Sequence, residues 1–278
     1  MIRIEGLTKE YKDVAALKGV TLEVGAGELF AYLGPNGAGK TTTIRILTGL
    51  TKRTGGDAWL NGFHIEGEKI EAKRQCGLAP QSVNLDPELT VFENLDVHGR
   101  LFGMKRADRK RRIDELLDYI GLSERRDSPV KQLSGGMKRR ATIARALVHK
   151  PRVLFLDEPT VGLDATIRRR IWALIKKIQE AGATIFLTTH YIEEAEFLAD
   201  RVAFLDEGEI VTADTPRNLI DAQGAWAIDR PAAEDMQPVY FDTRQAARDY
   251  MAEREASYTL RRVNLEDAFL AATGKKVK

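Results

Sequence analysis

Residues Gly34-Pro35-Asn36-Gly37-Ala38-Gly39-Lys40-Thr41 match the spacing G-x-x-x-x-G-K-[ST] at every fixed position. Those residue types at that spacing suit one task. Glycines let the backbone curl until several N–H groups point at one centre, a nest for phosphate oxygens. A helix beginning near Lys40 adds its positive end. The Lys40 ammonium is a point charge for the outer phosphates of a nucleoside triphosphate, and the Thr41 hydroxyl is a ligand for Mg2+. An apolar strand before the loop and a Thr-rich helix after it separate this motif from a chance Gly-rich turn.

A second group of chemistry-bearing residues ends the apolar run Arg152-Val153-Leu154-Phe155-Leu156-Asp157-Glu158. Strands often end in acidic turn residues, so the two carboxylates gain meaning only beside the phosphate loop. A parallel strand next to the loop's own strand would deliver both at the ligand edge of a sheet. Asp157 would then hold Mg2+ through water, and Glu158 would polarise a water aimed at the γ-phosphate.

The elements that must position these groups follow from patterning. Alternating short strands are expected over 1–5, 20–24 and 28–33, a helix over 41–47, and a strand over 57–60 closed by Asn61-Gly62. From 91 to about 146 the pattern turns helical and strongly charged, as an inserted subdomain would. Strands over 153–156, 184–187 and 202–205 then alternate with helices over 166–178 and 192–199, which argues for a parallel sheet covered by helices. Ile167, Ile171, Leu174, Ile175 and Ile178 fall on one helical face. Glu207-Gly208 predicts a terminal hairpin. A linker is expected near 220–238, followed by strands at 239–241 and 258–260 and helices over 243–254 and 265–272.

Composition narrows the class. The chain has 278 residues, 43% hydrophobic and 30% charged, which excludes disorder and fibre. Its formal charge of +2 exerts no global pull on nucleic acid or anionic lipid. The single cysteine, Cys76, suggests a reducing compartment. No run approaches the roughly 18 apolar residues that cross a bilayer, and Met1-Ile2-Arg3-Ile4-Glu5 lacks the apolar core of a secretory signal. A soluble, cytosolic chain is the expectation.

Leu133-Ser134-Gly135-Gly136-Met137, opening a helix over 138–148, completes a set that resembles the nucleotide-binding domain of ATP-binding cassette (ABC) ATPases. The likeness spans about 2–215. It implies a P-loop NTPase (RecA-like) α/β core with an N-terminal antiparallel β subdomain, an inserted helical subdomain and a small C-terminal α+β appendage. Residues 1–222 would form the ATPase domain and 223–278 the appendage with its linker. ATP and Mg2+ are the implied ligands. Residues 34–41 and Thr42 would hold the phosphates, namely Gly34, Pro35, Asn36, Gly37, Ala38, Gly39, Lys40 and Thr41. Tyr11 would stack on adenine. Thr41, Gln81 and Asp157 would serve Mg2+, and Lys40, Glu158, Gln81 and His190 would act in hydrolysis. Ser134, Gly135 and Gly136 would reach the ATP of a second copy, with Asp164 at the seam, so a homodimer is implied.

Glu88-Leu89-Thr90-Val91-Phe92-Glu93-Asn94-Leu95, the stretch after His190, and Val263-Asn264-Leu265-Glu266-Asp267-Ala268-Phe269-Leu270 are similar to the daunorubicin-resistance-type exporter branch. That branch implies a separate integral membrane permease, a place on the cytoplasmic face of the membrane, and outward transport of a drug, lipid or glycan. The permease is expected to dock near Val83-Asn84-Leu85 and 89–102, with Leu85 and Phe102 exposed as a patch. The basic groups 105–112 and 168–170 read as solvated helix faces, not as a nucleic-acid site. The competing reading is a soluble ABC ATPase with a non-transport partner. A kinase or GTPase would leave Ser134-Gly135-Gly136 without a role.

Overall fold

The computed structural model describes residues 1–231, 236–252 and 258–274. The chain runs β1 (Ile2–Tyr11), β2 (Val14–Val24), β3 (Leu29–Leu33), α1 (Lys40–Leu47), β4 (Gly55–Leu60), β5 (Phe63–His64), α2 (Lys69–Gln75) and β6 (Cys76–Ala79). The helical block holds α3 (Val91–Leu101), α4 (Arg106–Tyr119) and α5 (Gly135–Leu147). Then follow β7 (Val153–Asp157), α6 (Ala165–Glu180), β8 (Thr184–Thr189), α7 (Ile192–Leu198), β9 (Arg201–Asp206), β10 (Glu209–Asp214) and α8 (Pro216–Asp221). The last elements are β11 (Trp226–Pro231), β12 (Met236–Phe241), α9 (Arg244–Ala252), β13 (Thr259–Arg262) and α10 (Leu265–Thr273).

The central six-stranded sheet has the order β10-β9-β3-β8-β7-β6, parallel throughout except β10 against β9. The central strands β3, β8 and β7 are buried on both faces, as parallel strands are, whereas the edge strand β10 is partly exposed. Alternation then sorts the side chains. Leu29, Ala31, Leu33, Leu154 and Leu156 face the helices, in one apolar cluster with α5 and α6. Phe30, Tyr32, Phe155 and Phe186 face the other way, in a cluster with α1 and the four-stranded antiparallel sheet β2-β1-β4-β5. Each fully buried ring of this kind contributes roughly 1.5–3 kcal/mol of transfer free energy.

Several expectations change. The acidic strand β7 is not beside the loop's strand β3, because β8 pairs with both; all three still end at the same sheet edge. The signature helix starts at Gly135, not 138, since Ser134 caps it by accepting from Met137 N. The linker near 220–238 gives way to β11, which pairs with β12 and β13; of that stretch, 232–235 lie outside the described residues, as do 253–254 of the 243–254 helix. The closing helix α10 is no loose end. Phe269 packs edge-on against Phe204 of β9 at 5.1 Å between ring centroids.

Two surface readings also fail. Leu85 is buried, and Phe102 is half-buried with its ring stacked on His149 at 3.6 Å. The exposed apolar residues of that region are instead Val83, Val97 and Leu101, the last 79% exposed. Arg109 is not on a solvated face: it lies buried, bonded to Asp96 and to Met104 O. Gly99 makes the room, since a Cβ there would stand 2.5 Å from Arg109 Cδ. No helix among the described residues is long and apolar enough to cross a membrane.

Candidate nucleotide site

The loop between β3 and α1 is shaped by two glycines. A Cβ at Gly34 would lie 2.2 Å from the carbonyl oxygen of Leu205, so only glycine passes β9 there. Gly39 has φ +107°, and a Cβ would meet Ala16 O at 2.6 Å; here both conformation and space demand glycine. Gly39 is the N-cap of α1 and brings no side-chain acceptor, which leaves first-turn N–H groups for an anion. Lys40 is buried, and its Nζ donates to Gly34 O at 2.7 Å and Pro35 O at 3.1 Å. The same Nζ stands 3.3 Å from Glu158 Oε1. Burial lowers the Lys40 pKa from the usual ammonium range, and the Glu158 charge opposes that shift.

The end of β7 is held by β8. Asp157 Oδ1 accepts from Thr41 Oγ1 at 3.0 Å and from Thr188 Oγ1 at 2.6 Å. The next residue, Glu158, has φ +48°, a left-handed conformation for a side chain with a Cβ. Such a backbone costs on the order of 1–3 kcal/mol and persists only where neighbours over-determine it. The Glu158 N–H donates to Thr188 O at 3.0 Å, with Thr188 Oγ1 at 3.2 Å. On the far side, Glu158 Oε2 bonds His190 Nδ1. Lys40, Glu158 and His190 therefore stand in one row, from the start of α1 and the segments after β7 and β8, at one sheet edge.

A cleft of 160 Å³ opens there, lined by Asn36, Gly37, Gly39, Lys40, Thr41, Thr42, Gln81 and Glu158. Thus the fold gathers the phosphate-loop residues, Gln81, Asp157, Glu158 and His190. Other candidates stand apart. Tyr11 is exposed at the β1–β2 hairpin under the Lys9 ammonium. Ser134 and Gly135 are exposed and are not among the residues lining this cleft. Gly136 is buried against Ile167 of α6. Asp164 caps α6, accepting from Ile167 N at 2.9 Å.

The Thr41 hydroxyl and Asp157 carboxylate suit Mg2+. They are hard oxygen donors side by side at the cleft, and Mg2+ takes one or two protein ligands with phosphates and waters. Among the described residues no group of three or more His, Cys, Asp or Glu is placed to hold a metal ion, so a protein cage is not what they offer. Sequence reasoning assigned nothing to Thr188 or Arg139. The first lies two residues before His190, yet its bond to Asp157 spans 31 residues. The second carries no motif signal; its partners are carbonyls 18 to 59 residues away.

The family model for "ABC transporter" matches residues 17–161. This chain belongs to the ABC transporter family. Among relatives of this ABC chain, a Nod factor export ATP-binding protein I of Ralstonia nicotianae is 38% identical, over 100% of this chain and 95% of that one. A linearmycin resistance ATP-binding protein of Bacillus subtilis is 41% identical over 82% of this chain and 73% of its own length. Among solved structures, a dimeric ATP-binding cassette in a post-hydrolysis state with ADP and Pi has TM-score 0.70 and 32% identity, covering 77% of this chain and 98% of that one. The ABC chain is an ATP-binding subunit and an ATPase, with the P-loop NTPase fold.

Proposed function

We propose that this ABC ATPase powers a separate membrane permease, as a head-to-tail homodimer that closes on two ATP molecules and opens on hydrolysis. The observation that carries it is the row Lys40–Glu158–His190 at one sheet edge, with Ser134 and Gly135 at the start of α5 exposed and outside that cleft. One copy supplies the phosphate loop; the other supplies that second helix end. Names of relatives, for Nod factor export and linearmycin resistance, support outward transport of a drug, lipid or glycan. The subunit then works on the cytoplasmic face of the membrane.

In this reading Lys40 turns from Glu158 to the β- and γ-phosphates, and loop and α1 amides hold their oxygens. Glu158 accepts a proton from the water as its oxygen bonds the γ-phosphorus and the bridging P–O bond breaks, giving ADP and phosphate. His190 holds Glu158 and the γ-phosphate in register. Thr41 and Asp157 would hold Mg2+, with Gln81 in the cleft lining, and the ion would neutralise phosphate charge there. Tyr11 stacks on adenine, and Asp164 and Gly136 lie at the dimer seam. Residues 1–222 act as the ATPase domain and 223–278 as its appendage. Val83, Val97 and Leu101 meet the permease.

The test is Glu158→Gln with Mg-ATP on gel filtration. A persistent, ATP-dependent dimer is expected; monomer alone would remove the reading.

A further inference from the structure

Arg139 lies in the second turn of α5, is 4% exposed, and is spent wholly on main-chain carbonyls. Its Nε donates to Pro159 O at 2.6 Å and Nη2 to Asp157 O at 3.0 Å. Nη1 donates to Pro80 O, with Gln81 O at 3.4 Å. These carbonyls bracket the chemistry. Asp157 and Pro159 flank Glu158, the residue with φ +48°, and Pro80 precedes Gln81. A planar guanidinium with five fixed donors suits these four carbonyls, which a single ammonium does not span.

Burial lowers the Arg139 guanidinium to about 10, and the charges of Glu194 and Asp157 oppose that; it stays cationic at neutral pH. Glu194 is fully buried, its Oε1 accepting from Thr160 Oγ1 and Trp172 Nε1, each at 2.8 Å. Arg139 thus stands among buried polar groups, bonded to the backbone on either side of Glu158. Charge-assisted bonds there are strong, and costly to break singly.

We propose that Arg139 is a positioning residue for hydrolysis, a clamp that ties the signature helix α5 to the backbone around Glu158 and Gln81 of the same chain. It touches no reacting atom. Through it, a shift of α5 when Ser134 engages the partner's triphosphate is transmitted to the base and to the glutamine loop of its own site. The inference rests on the proposed function, since it needs Glu158 to be the base.

Arg139→Lys and Arg139→Ala test it, with kcat for Mg-ATP, ATP affinity measured in EDTA, and melting temperature. The lysine variant keeps charge and most of the volume if the alanine variant fails to fold. Displacing a base by about 1 Å costs on the order of 10²-fold, so kcat of Arg139→Lys is expected to fall about that far, with ATP affinity within about twofold. Added to Glu158→Gln, Arg139→Lys is expected to lower the residual rate less than about threefold, because both act through one group. A native kcat in Arg139→Lys, equal losses of kcat and affinity with a lower melting temperature, or full additivity in the double variant would overturn the clamp. No Mg-ATP turnover by the unmutated chain would instead overturn the proposed function, and the clamp with it.

Discussion

Lys40 Nζ and Glu158 Oε1 form a buried ion pair of 3.3 Å, with side chains 4% and 7% exposed. Each partner keeps the other's charge tolerable in this buried position. Glu158→Gln removes the negative charge from Lys40 at nearly constant shape. ATP binding is expected to hold or tighten, while turnover drops about 10²–10⁴-fold, the usual share of a general base. Equilibrium binding and phosphate release measure the two; parallel losses would show that Glu158 serves binding.

His190 reaches the site through Glu158 Oε2 and is not among the residues lining the cleft at the phosphate loop. His190→Ala should therefore reduce kcat far more than ATP affinity. Equal loss of both would refute its placement in the hydrolytic row.

The two signature glycines should separate in one experiment. A Cβ at Gly136 would lie 2.6 Å from Ile167 Cγ2, whereas at Gly135 the nearest atom, Leu163 Cδ2, is 3.8 Å away. Gly136→Ala forces α5 from α6, an overpacking of about 1–3 kcal/mol, and should lower both melting temperature and turnover. Gly135→Ala should leave the melting temperature unchanged and lower turnover alone. If both melt like the native chain, the α5–α6 contact is looser than described.

Stability should fall in mild acid. Burial holds His98 and His149 down to about 4, the neighbouring His149 and Arg145 charges adding to the effect at His98. His98 Nε2 and His149 Nδ1 are buried without partners. In the unfolded chain both histidines take protons near 6.5. The unfolded state therefore binds protons first as pH falls from about 6.5 toward 4, and stability is lost in that window by up to about 1.4 kcal/mol per pH unit per histidine. Urea unfolding at pH 7 and pH 5 measures it, and His149→Gln should flatten the slope. An unchanged slope would exclude the pair as the cause.

Leu101, 79% exposed on α3, should be dispensable to the chain alone. Leu101→Glu is expected to preserve basal turnover and melting temperature while transport by the assembled complex is lost. Full transport would move the docking surface elsewhere.

Much of the site was legible because its chemistry is contiguous. In the loop from Gly34 to Thr41, nest, lysine and hydroxyl lie within eight residues, so spacing alone carries the meaning. Apolar runs such as Val153 to Leu156 likewise announced a buried sheet. Pro and Gly misled near 224–238, where composition read as linker and β11 forms because β12 and β13 flank it. Exposure misled at Leu85, Phe102 and Arg109, where residue type says little about which neighbour leaves room.

By itself the sequence determined a phosphate loop, an acidic strand end, a second Gly-rich segment leading into a helix and a charged helical block within an α/β chain. Local spacing and hydropathy suffice for these, since each motif is its own context. Only the tertiary structure decided that β8 stands between the two site strands, that Thr188 holds Asp157 and Glu158, and that Arg139 joins 80, 157 and 159. Those contacts join carbonyls and hydroxyls far apart along the chain, and a backbone carbonyl has the same chemistry at every residue; what singles one out is where the packed sheet puts it.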